Sequence, residues 1–163
     1  MESGSIVTYG NEVLRERAAE IEQFDDEVRE LIFRMYEIMA ESHGLGLAGP
    51  QIGVSKRIFV YDVGEGPHAF INPVIISSSG EESGLEGCLS IPGLQGEVPR
   101  ATKVTIRGID ENGEQVKIVA EGLLARVFQH EMDHLDGTMF IDRADPDTLE
   151  TVPVEDDEEA GPL

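Results

Sequence analysis

The stretch QHEMDHLDG, residues 129–137, carries two histidines four positions apart with a glutamate next to the first. In a helix, side chains at positions i and i+4 lie on the same face, so His130 and His134 would stand one turn apart with Glu131 beside them. Apolar residues recur at helical spacing through residues 123–135, which predicts an amphipathic helix. Both imidazoles should then face inward, where an unpaired ring nitrogen is costly and binding a metal would satisfy it.

Three interpretations of this motif are open: histidines that merely pack in a helix, the zinc site of a protease, or another kind of metal site. One class of zinc proteases extends the motif with a glycine and a third histidine. Here Gly137 is present, but the position of the third histidine holds Phe140. Another class takes a glutamate further downstream, at a distance that here reaches Glu155 in an acidic, apolar-poor segment. The sequence satisfies neither protease pattern.

The strongest candidate for a third ligand is Cys88, the single cysteine of the chain. A free cysteine is most often a small buried hydrophobic residue. Gly84 and Gly87 before it, and Pro92 and Gly93 after it, indicate a turn that presents the side chain instead. One thiolate and two imidazoles leave a fourth position open for water, which is typical of a catalytic rather than a structural site.

Composition limits the classes of protein to consider. The 163 residues suffice for about one domain, and 40% of them are apolar without a run long enough to span a membrane. The first residues lack the basic flank and apolar stretch of a secretory signal, and a lone cysteine fits a reducing cytoplasm. Twelve basic against thirty-three acidic side chains give a net charge of −21, which disfavours autonomous binding to nucleic acid or to an anionic membrane.

The helices and strands predicted from the sequence do not alternate along the chain as they would in βαβ units. A first helix is predicted after Asp25 or Asp26 and should stop near Gly44, and a second runs from Leu123 to about Leu135, with Gly137 placed to end it. Strands are predicted over Arg57–Val63, Ala69–Ser77, Thr102–Asp110 and Glu114–Gly122, the last two joined as a hairpin through an Asn-Gly turn. This order predicts an α+β fold, with mainly antiparallel sheets around the helix that carries HExxH. We expect a catalytic domain over residues 1–144 and a disordered acidic tail over 145–163.

Three segments together resemble the peptide deformylase family. They are GLGLAGPQ at residues 44–51, EGCLS at 86–90 and QHEMDH at 129–134, and their order and spacing agree with the motifs of that family. The resemblance extends from the N-terminal helix to about Asp142. One departure is Gly49, where the family usually has alanine; the extra backbone freedom of glycine predicts a less rigid loop near Gln51.

The resemblance implies an enzyme that removes the formyl group from the N-terminal formyl-methionine of new bacterial polypeptides. Family position implies Cys88, His130 and His134 as metal ligands, Glu131 as the proton-transfer group, and the Gln51 amide with the Leu89 N–H as donors to the developing oxyanion. The family typically uses ferrous iron and is often isolated with zinc or nickel; cobalt also suits these ligands.

The resemblance also implies the substrate contacts. The backbones of Leu45, Gly46 and Gly87 would pair with an extended peptide. The methionine slot would be lined by Leu45, Leu123, Arg126 and Val127, alongside Glu86 and His130. The stem of Arg126 should line the slot while its head reaches solvent, and family position suggests that Glu86 pairs with Arg100.

Two other functions remain open at this stage. A zinc peptidase shares the HExxH helix but lacks its third histidine or glutamate here. An inactive protein that keeps the metal and the fold is the second alternative, although the presence of Glu131 and Gln51 weighs against it. The expected partners are formyl-methionyl nascent peptides. A transient contact with the ribosome is left open, and no binding to a membrane is expected.

Overall fold

The computed structural model describes residues 6–152, which form an α+β domain with antiparallel sheets, as the sequence predicted. Two α-helices and eight strands are found in that part of the chain. In chain order they are α1 (Asp26–Glu41), β1 (Gly46–Ala48), β2 (Ile58–Tyr61), β3 (His68–Ser79), β4 (Glu82–Cys88), β5 (Ile91–Arg100), β6 (Lys103–Ile109), β7 (Gln115–Glu121), α2 (Gly122–Leu135) and β8 (Glu150–Thr151). Neither helix has the length and apolar character that a membrane span requires.

Helix α1 begins where its capping residue predicts. The side chain of Asp25 accepts a hydrogen bond from the backbone N–H of Val28 at 3.1 Å, so this carboxylate satisfies one of the free N–H groups of the first turn. The helix ends at Glu41, and the residue with left-handed backbone is His43 (φ 59°) rather than Gly44. The buried face of α1 packs against β1 and β2.

The strands form two separate sheets. One has the order β1-β2-β3-β6-β7, and the other has the order β4-β5-β8. The predicted hairpin is the β6–β7 pair, in which Ile109 lies opposite Gln115. Its turn is closed by the N–H of Gly113 donating to Asp110 O at 3.0 Å, and Gly113 alone has left-handed backbone there (φ 81°). In this arrangement β1 and β4 are both edge strands, each with one side unpaired within its sheet.

Helix α2 packs against the five-stranded sheet. The ring of Phe128 lies 4.9 Å from that of Tyr61 and 5.5 Å from that of Phe70, and these rings form the centre of one core cluster. The helix ends before Gly137 (φ 80°), as predicted, and a side chain at Gly137 would approach Arg15 O to 2.6 Å. This packing fixes which face of α2 remains for the histidines.

The segment after residue 144 differs from its prediction. Residues Pro146–Thr148 form a short 3₁₀ turn, and β8 pairs with β5 through Gln95 opposite Glu150. Leu149 packs over Gly96, and hydrogen bonds from Asp145 N–H to Glu97 O and from Glu97 N–H to Thr148 Oγ1 also attach this acidic segment to the sheet. The predicted tail therefore starts with an attached segment, and its remainder, residues 153–163, lies outside the described residues.

Candidate active site

The end of β4 and the middle of α2 bring three metal-binding side chains together. The ligand atoms of Cys88, His130 and His134 all lie within 4.8 Å of one another, and Cys88 Sγ is 3.3 Å from His134 Nε2. Each of the three residues is at most 2% exposed. Cys88 reaches this point because the β4–β5 ladder has an irregularity between Gly87 and Cys88, followed by a tight turn into β5.

The donor set fits a divalent cation. His130 Nδ1 lies 2.9 Å from Glu86 Oε1, and Nε2 of the same ring is buried with no hydrogen-bond partner in the part of the chain that the structure describes. An orphaned buried imidazole nitrogen next to a thiol and a second imidazole is costly unless a ligand binds it. One sulfur and two nitrogen donors suit zinc, iron, cobalt or nickel, so these residues can hold one such ion.

Burial keeps two of the ligands uncharged in the absence of a cation. Desolvation raises the pKa of the Cys88 thiol to about 12, although the N–H groups of Ser90 and Ile91 partly counteract it. Burial, together with the charge of His130, lowers the pKa of His134 well below its usual range. Since the thiolate is the metal-binding form, a cation must displace the proton of Cys88 when it binds.

Glu131 is a buried carboxyl group beside the three ligands. It is fully buried, and neither of its oxygens has a hydrogen-bond partner within the described residues. Burial, followed by the charge of Glu86, raises the pKa of Glu131 well above its usual range. A raised pKa makes the carboxylate a stronger proton acceptor than an exposed glutamate, which is a property that an acid–base catalyst needs.

Gln51 reaches Cys88 from the 3₁₀ turn that follows β1. Its Oε1 accepts from the N–H of Ala48 at 3.0 Å, and this bond fixes the orientation of the amide. The Nε2 group then points at the β4–β5 turn, 3.2 Å from Ser90 Oγ and 3.6 Å from Cys88 Sγ. Leu89 follows Cys88 directly in that turn, so the two residues assigned as oxyanion donors lie on the cysteine side of the site.

Glu86 has a different environment from the one expected. Its carboxylate accepts from Arg100 at 2.9 Å on both oxygens, from Arg126 at 2.7 Å on Oε2 and from His130 on Oε1. Burial alone would raise the pKa of Glu86, but hydrogen bonds from Arg100 and His130 outweigh it and lower the pKa to about 2. The suggested pairing with Arg100 is present, and Glu86 orients a ligand histidine rather than lining an open slot.

The expectation that the head of Arg126 reaches solvent is wrong. Besides Glu86, the guanidinium donates to Val98 O at 3.0 Å and to Glu82 O at 2.8 Å, and the side chain is only 14% exposed. It occupies the space over Gly84, where an added Cβ would lie 2.9 Å from the guanidinium carbon. Three acceptors on β4 and β5 bind the head more favourably than water does, because the arrangement is already fixed by the strands.

The other slot residues differ in exposure. Leu123 is 51% exposed at the start of α2, and Leu45 is partly buried. Val127 is completely buried within the aromatic core cluster, and Leu45 packs against that cluster. Val127 and Leu45 therefore take part in the core packing, whereas Leu123 is largely open to solvent.

Gly49 is more constrained than the sequence suggested. It begins a 3₁₀ turn that extends to Ile52, and its carbonyl accepts from the N–H of Val54 at 3.0 Å. A Cβ at Gly49 would lie 2.7 Å from Val54 O and 2.9 Å from Lys56 O. The expected loss of rigidity is not what the structure indicates, because this glycine permits a close backbone approach that holds the loop in place.

Sequence reasoning missed Asp133 and Arg143. Asp133 is a buried residue of α2 that accepts from Arg100 at 2.7 Å and from Arg143 at 2.6 and 2.9 Å. An acidic residue between the two motif histidines is the signal that could have indicated a buried partner. One of its two arginines, Arg100, is 33 positions away and ends a strand that was not predicted.

An α+β fold in which two helical histidines, a cysteine and a buried glutamate converge defines a metal-dependent hydrolase of the HExxH type. Residues 4–150 match the family model described as polypeptide deformylase. The chain therefore belongs to the polypeptide deformylase family and is an enzyme with peptide deformylase activity, which confirms the resemblance of its three motifs.

Individual relatives agree with this assignment. The chain is 53% identical over 140 residues to a peptide deformylase of Carboxydothermus hydrogenoformans, covering 86% of this chain and 92% of that protein. It is 48% identical over 151 residues to one from Pelotomaculum thermopropionicum, covering 93% and 97%. A crystal structure of peptide deformylase from Thermotoga maritima superposes with a TM-score of 0.84 at 45% identity, covering 86% of this chain and 97% of that one. The Synechococcus elongatus enzyme in complex with actinonin also gives 0.84, at 44% identity and with 86% and 78% coverage.

Proposed function

We propose that this protein hydrolyses the formamide bond of N-terminal formyl-methionine on newly synthesised polypeptides and releases formate. The observation that carries the proposal is a fully buried carboxyl group, Glu131, which has no hydrogen-bond partner among residues 6–152 and lies next to Cys88, His130 and His134. A structural metal site has no use for such a group, since burying it costs free energy. In an amide hydrolase it is the acid–base catalyst.

Cys88, His130 and His134 would hold one divalent cation, for which we propose ferrous iron in the cell and zinc, nickel or cobalt in purified protein. When bound, the cation supplies Lewis acidity and lowers the pKa of a water toward neutrality. Glu86 holds the ring of His130 through Nδ1, so that Nε2 is the nitrogen available to the cation.

Glu131 takes the proton from the attacking water and later gives it to the amine that leaves. The overall reaction breaks the bond between the formyl carbon and the methionine nitrogen and forms a bond from that carbon to the water oxygen. Because burial raises the pKa of Glu131, the carboxyl group can return the proton that it received. This assignment predicts that an isosteric amide at the position abolishes turnover.

Gln51 and the backbone N–H of Leu89 are proposed as donors to the oxyanion that forms when water attacks the formyl carbon. In support, the amide of Gln51 is held by Ala48 with its NH₂ group directed at the turn that contains Leu89. Such pre-oriented donors cost no reorganisation during the reaction, and loss of one typically raises the barrier by ~2.7–4 kcal/mol.

The peptide is proposed to bind as an extended strand between the free edges of β1 and β4. Gly46 lies on the edge of β1 and Gly87 on that of β4, where backbone N–H and C=O groups can pair with an added strand. Leu45 directly precedes β1 and would contribute through its N–H, because its C=O accepts from the N–H of Asp62 at 3.0 Å. The methionine side chain would enter beside Leu45, Leu123, the stem of Arg126 and the wall formed by Val127, with Glu86 and His130 beneath. A cytoplasmic location and a transient ribosome contact follow from the nature of this substrate and form part of the proposal.

One assay tests the proposed function. The iron-loaded protein is given formyl-Met-Ala-Ser and its unformylated counterpart, and formate and peptide fragments are measured for the wild type and for Glu131→Gln. Formate release that vanishes in the variant, with metal content unchanged, supports the proposal. Cleavage of internal peptide bonds would instead favour a peptidase. A metal-loaded protein that acts on neither peptide would overturn the proposal that the protein is an active hydrolase.

A further inference from the structure

The backbone of Gly46 in β1 lies directly against the side chain of Glu131. A Cβ built on Gly46 would lie 2.5 Å from Glu131 Oε2, 2.9 Å from its Cδ and 3.0 Å from its Cγ. The backbone of Gly46 does not have positive φ, so conformational freedom is not the reason for a glycine here. Because Gly46 has no side chain, the end of the Glu131 side chain occupies the space beside its backbone.

Within the described residues, no hydrogen bond holds the Glu131 carboxylate in place. Both carboxylate oxygens lack hydrogen-bond partners, although the residue is fully buried. A side chain without hydrogen bonds takes its position from packing alone, and interiors are packed too tightly to let it shift freely. The wall formed by Gly46 is therefore one of the surfaces that define where the carboxylate sits.

We propose that Gly46 is a positioning residue for the catalytic base, and that its hydrogen side chain sets the location of the Glu131 carboxylate. This inference rests on the proposed function of Glu131. A methyl group at residue 46 would force the carboxylate back by about 1 Å to restore ordinary van der Waals separation. Misplacement of a catalytic group by about 1 Å can lower turnover ~10²-fold.

The effect should appear in kcat rather than in KM. In a strand, the side chain stands perpendicular to the direction in which the backbone hydrogen bonds. The methyl group would thus point at Glu131 and leave the N–H and C=O of Gly46 free on the edge of β1, where the peptide is proposed to pair. A substitution that only damaged that edge would raise KM instead.

The decisive experiment compares Gly46→Ala in two backgrounds, the wild type and Glu131→Asp. In Glu131→Asp the side chain ends near the present positions of Cγ and Cδ, which lie 3.0 and 2.9 Å from the added Cβ. The methyl group therefore displaces the aspartate carboxylate less than the glutamate oxygen that lies at 2.5 Å. We expect Gly46→Ala to lower kcat on formyl-Met-Ala-Ser ~10²-fold in the wild type, with KM unchanged within about threefold. In the Glu131→Asp background, the same substitution should cost clearly less, about tenfold or below.

A matched control is Gly44→Ala, the same substitution two residues earlier. Its Cβ would meet the end of the Leu89 side chain at 2.8 Å and not Glu131. Whatever this variant costs, the factor should be the same with glutamate or aspartate at residue 131, because its contact does not involve that side chain.

A second measurement does not require activity. The urea unfolding midpoint is measured for Gly46→Ala with glutamate and with alanine at residue 131. We expect Gly46→Ala to lower the midpoint only when glutamate is present, since alanine leaves the space empty. Equal effects of Gly46→Ala in both backgrounds, in kcat and in midpoint, would overturn the inference, as would a rise in KM at constant kcat. If the wild type released no formate, the unfolding cycle would still decide the contact, so the two proposals fail separately.

Discussion

Replacing Glu86 by glutamine tests whether the protein, and not only the cation, organises the metal ligands. Glutamine keeps the size of the side chain but removes its charge and turns one acceptor oxygen into a donor. In the wild type, each oxygen receives two hydrogen bonds, from Arg100 and Arg126 on Oε2 and from Arg100 and His130 on Oε1. Either orientation of the amide therefore places an NH₂ group opposite two donors.

The cost can be worked out from the pKa of Glu86. A change from the ordinary value of 4.5 to about 2 corresponds to about 3 kcal/mol of stabilisation of the ionised form in the folded state. Loss of one partner of a buried ion pair typically costs ~3–5 kcal/mol, which is the same range. Because Glu86 is almost fully buried, solvent screening reduces this figure little. We expect Glu86→Gln to lower the free energy of unfolding by about 3 kcal/mol at pH 7.

The pH dependence gives an independent readout of the same group. The pKa of Glu86 is lower in the folded than in the unfolded protein, so the unfolded state binds the proton first as pH falls. The stabilisation is fully present above pH 4.5 and is lost as pH falls toward about 2. Urea unfolding of the chelated protein should therefore show a steeper loss over that window in the wild type than in Glu86→Gln.

A suitable control is Glu97→Gln on β5, an exposed position. Its side chain forms no hydrogen bond within residues 6–152. It should change the unfolding free energy by less than about 0.5 kcal/mol and leave the acid profile intact. The reasoning is refuted if Glu86→Gln costs less than about 1 kcal/mol at pH 7, or if its stability falls with acid as steeply as that of the wild type.

Three further predictions follow from single contacts. Gly49→Ala should lower the free energy of unfolding by about 1–3 kcal/mol in urea, since its Cβ would meet two backbone oxygens; a neutral effect would show that the loop can move. Addition of zinc to the chelated protein at pH 7 should release one proton from Cys88, seen with an indicator dye in weak buffer, and none from that position in Cys88→Ser. Asp25→Ala should cost about 1 kcal/mol through the lost α1 cap, and an unchanged urea midpoint would contradict that role.

Elements with strong periodicity were predictable from the sequence. Helix α2 followed from apolar spacing, α1 from its cap at Asp25, and the β6–β7 hairpin from the turn before Gly113. In each case the signal is local, because a few consecutive residues fix the backbone and one face carries the apolar side chains. The proximity of His130 and His134 was predictable for a related reason, since HExxH places both histidines on one helical face.

Strands β1, β4 and β5 carried no such signal. Their sequences, GLA, ESGLEGC and IPGLQGEVPR, contain glycine and proline and lack regular alternation of apolar and polar residues. They become strands because they pair with β2 or with each other, which is a tertiary effect. The constraint at Gly49 was not predictable either, because it depends on how the chain folds back. The carbonyl groups that exclude a side chain there belong to Val54 and Lys56.

Arg100 shows why the partners in the site could not be assigned from sequence and why they matter. Its guanidinium bonds Glu86 of β4 and Asp133 of α2 at once, so a single side chain joins the strand that ends in Cys88 to the helix that carries both histidines. A metal site needs its ligands placed to within about 0.5 Å, and two elements from different parts of the chain do not meet with that accuracy by hydrophobic packing alone. The fork geometry of arginine fixes both distance and direction between two carboxylates. The register of strand against helix, and with it the spacing of the sulfur and the two imidazoles, is thus set by buried ion pairs behind the site.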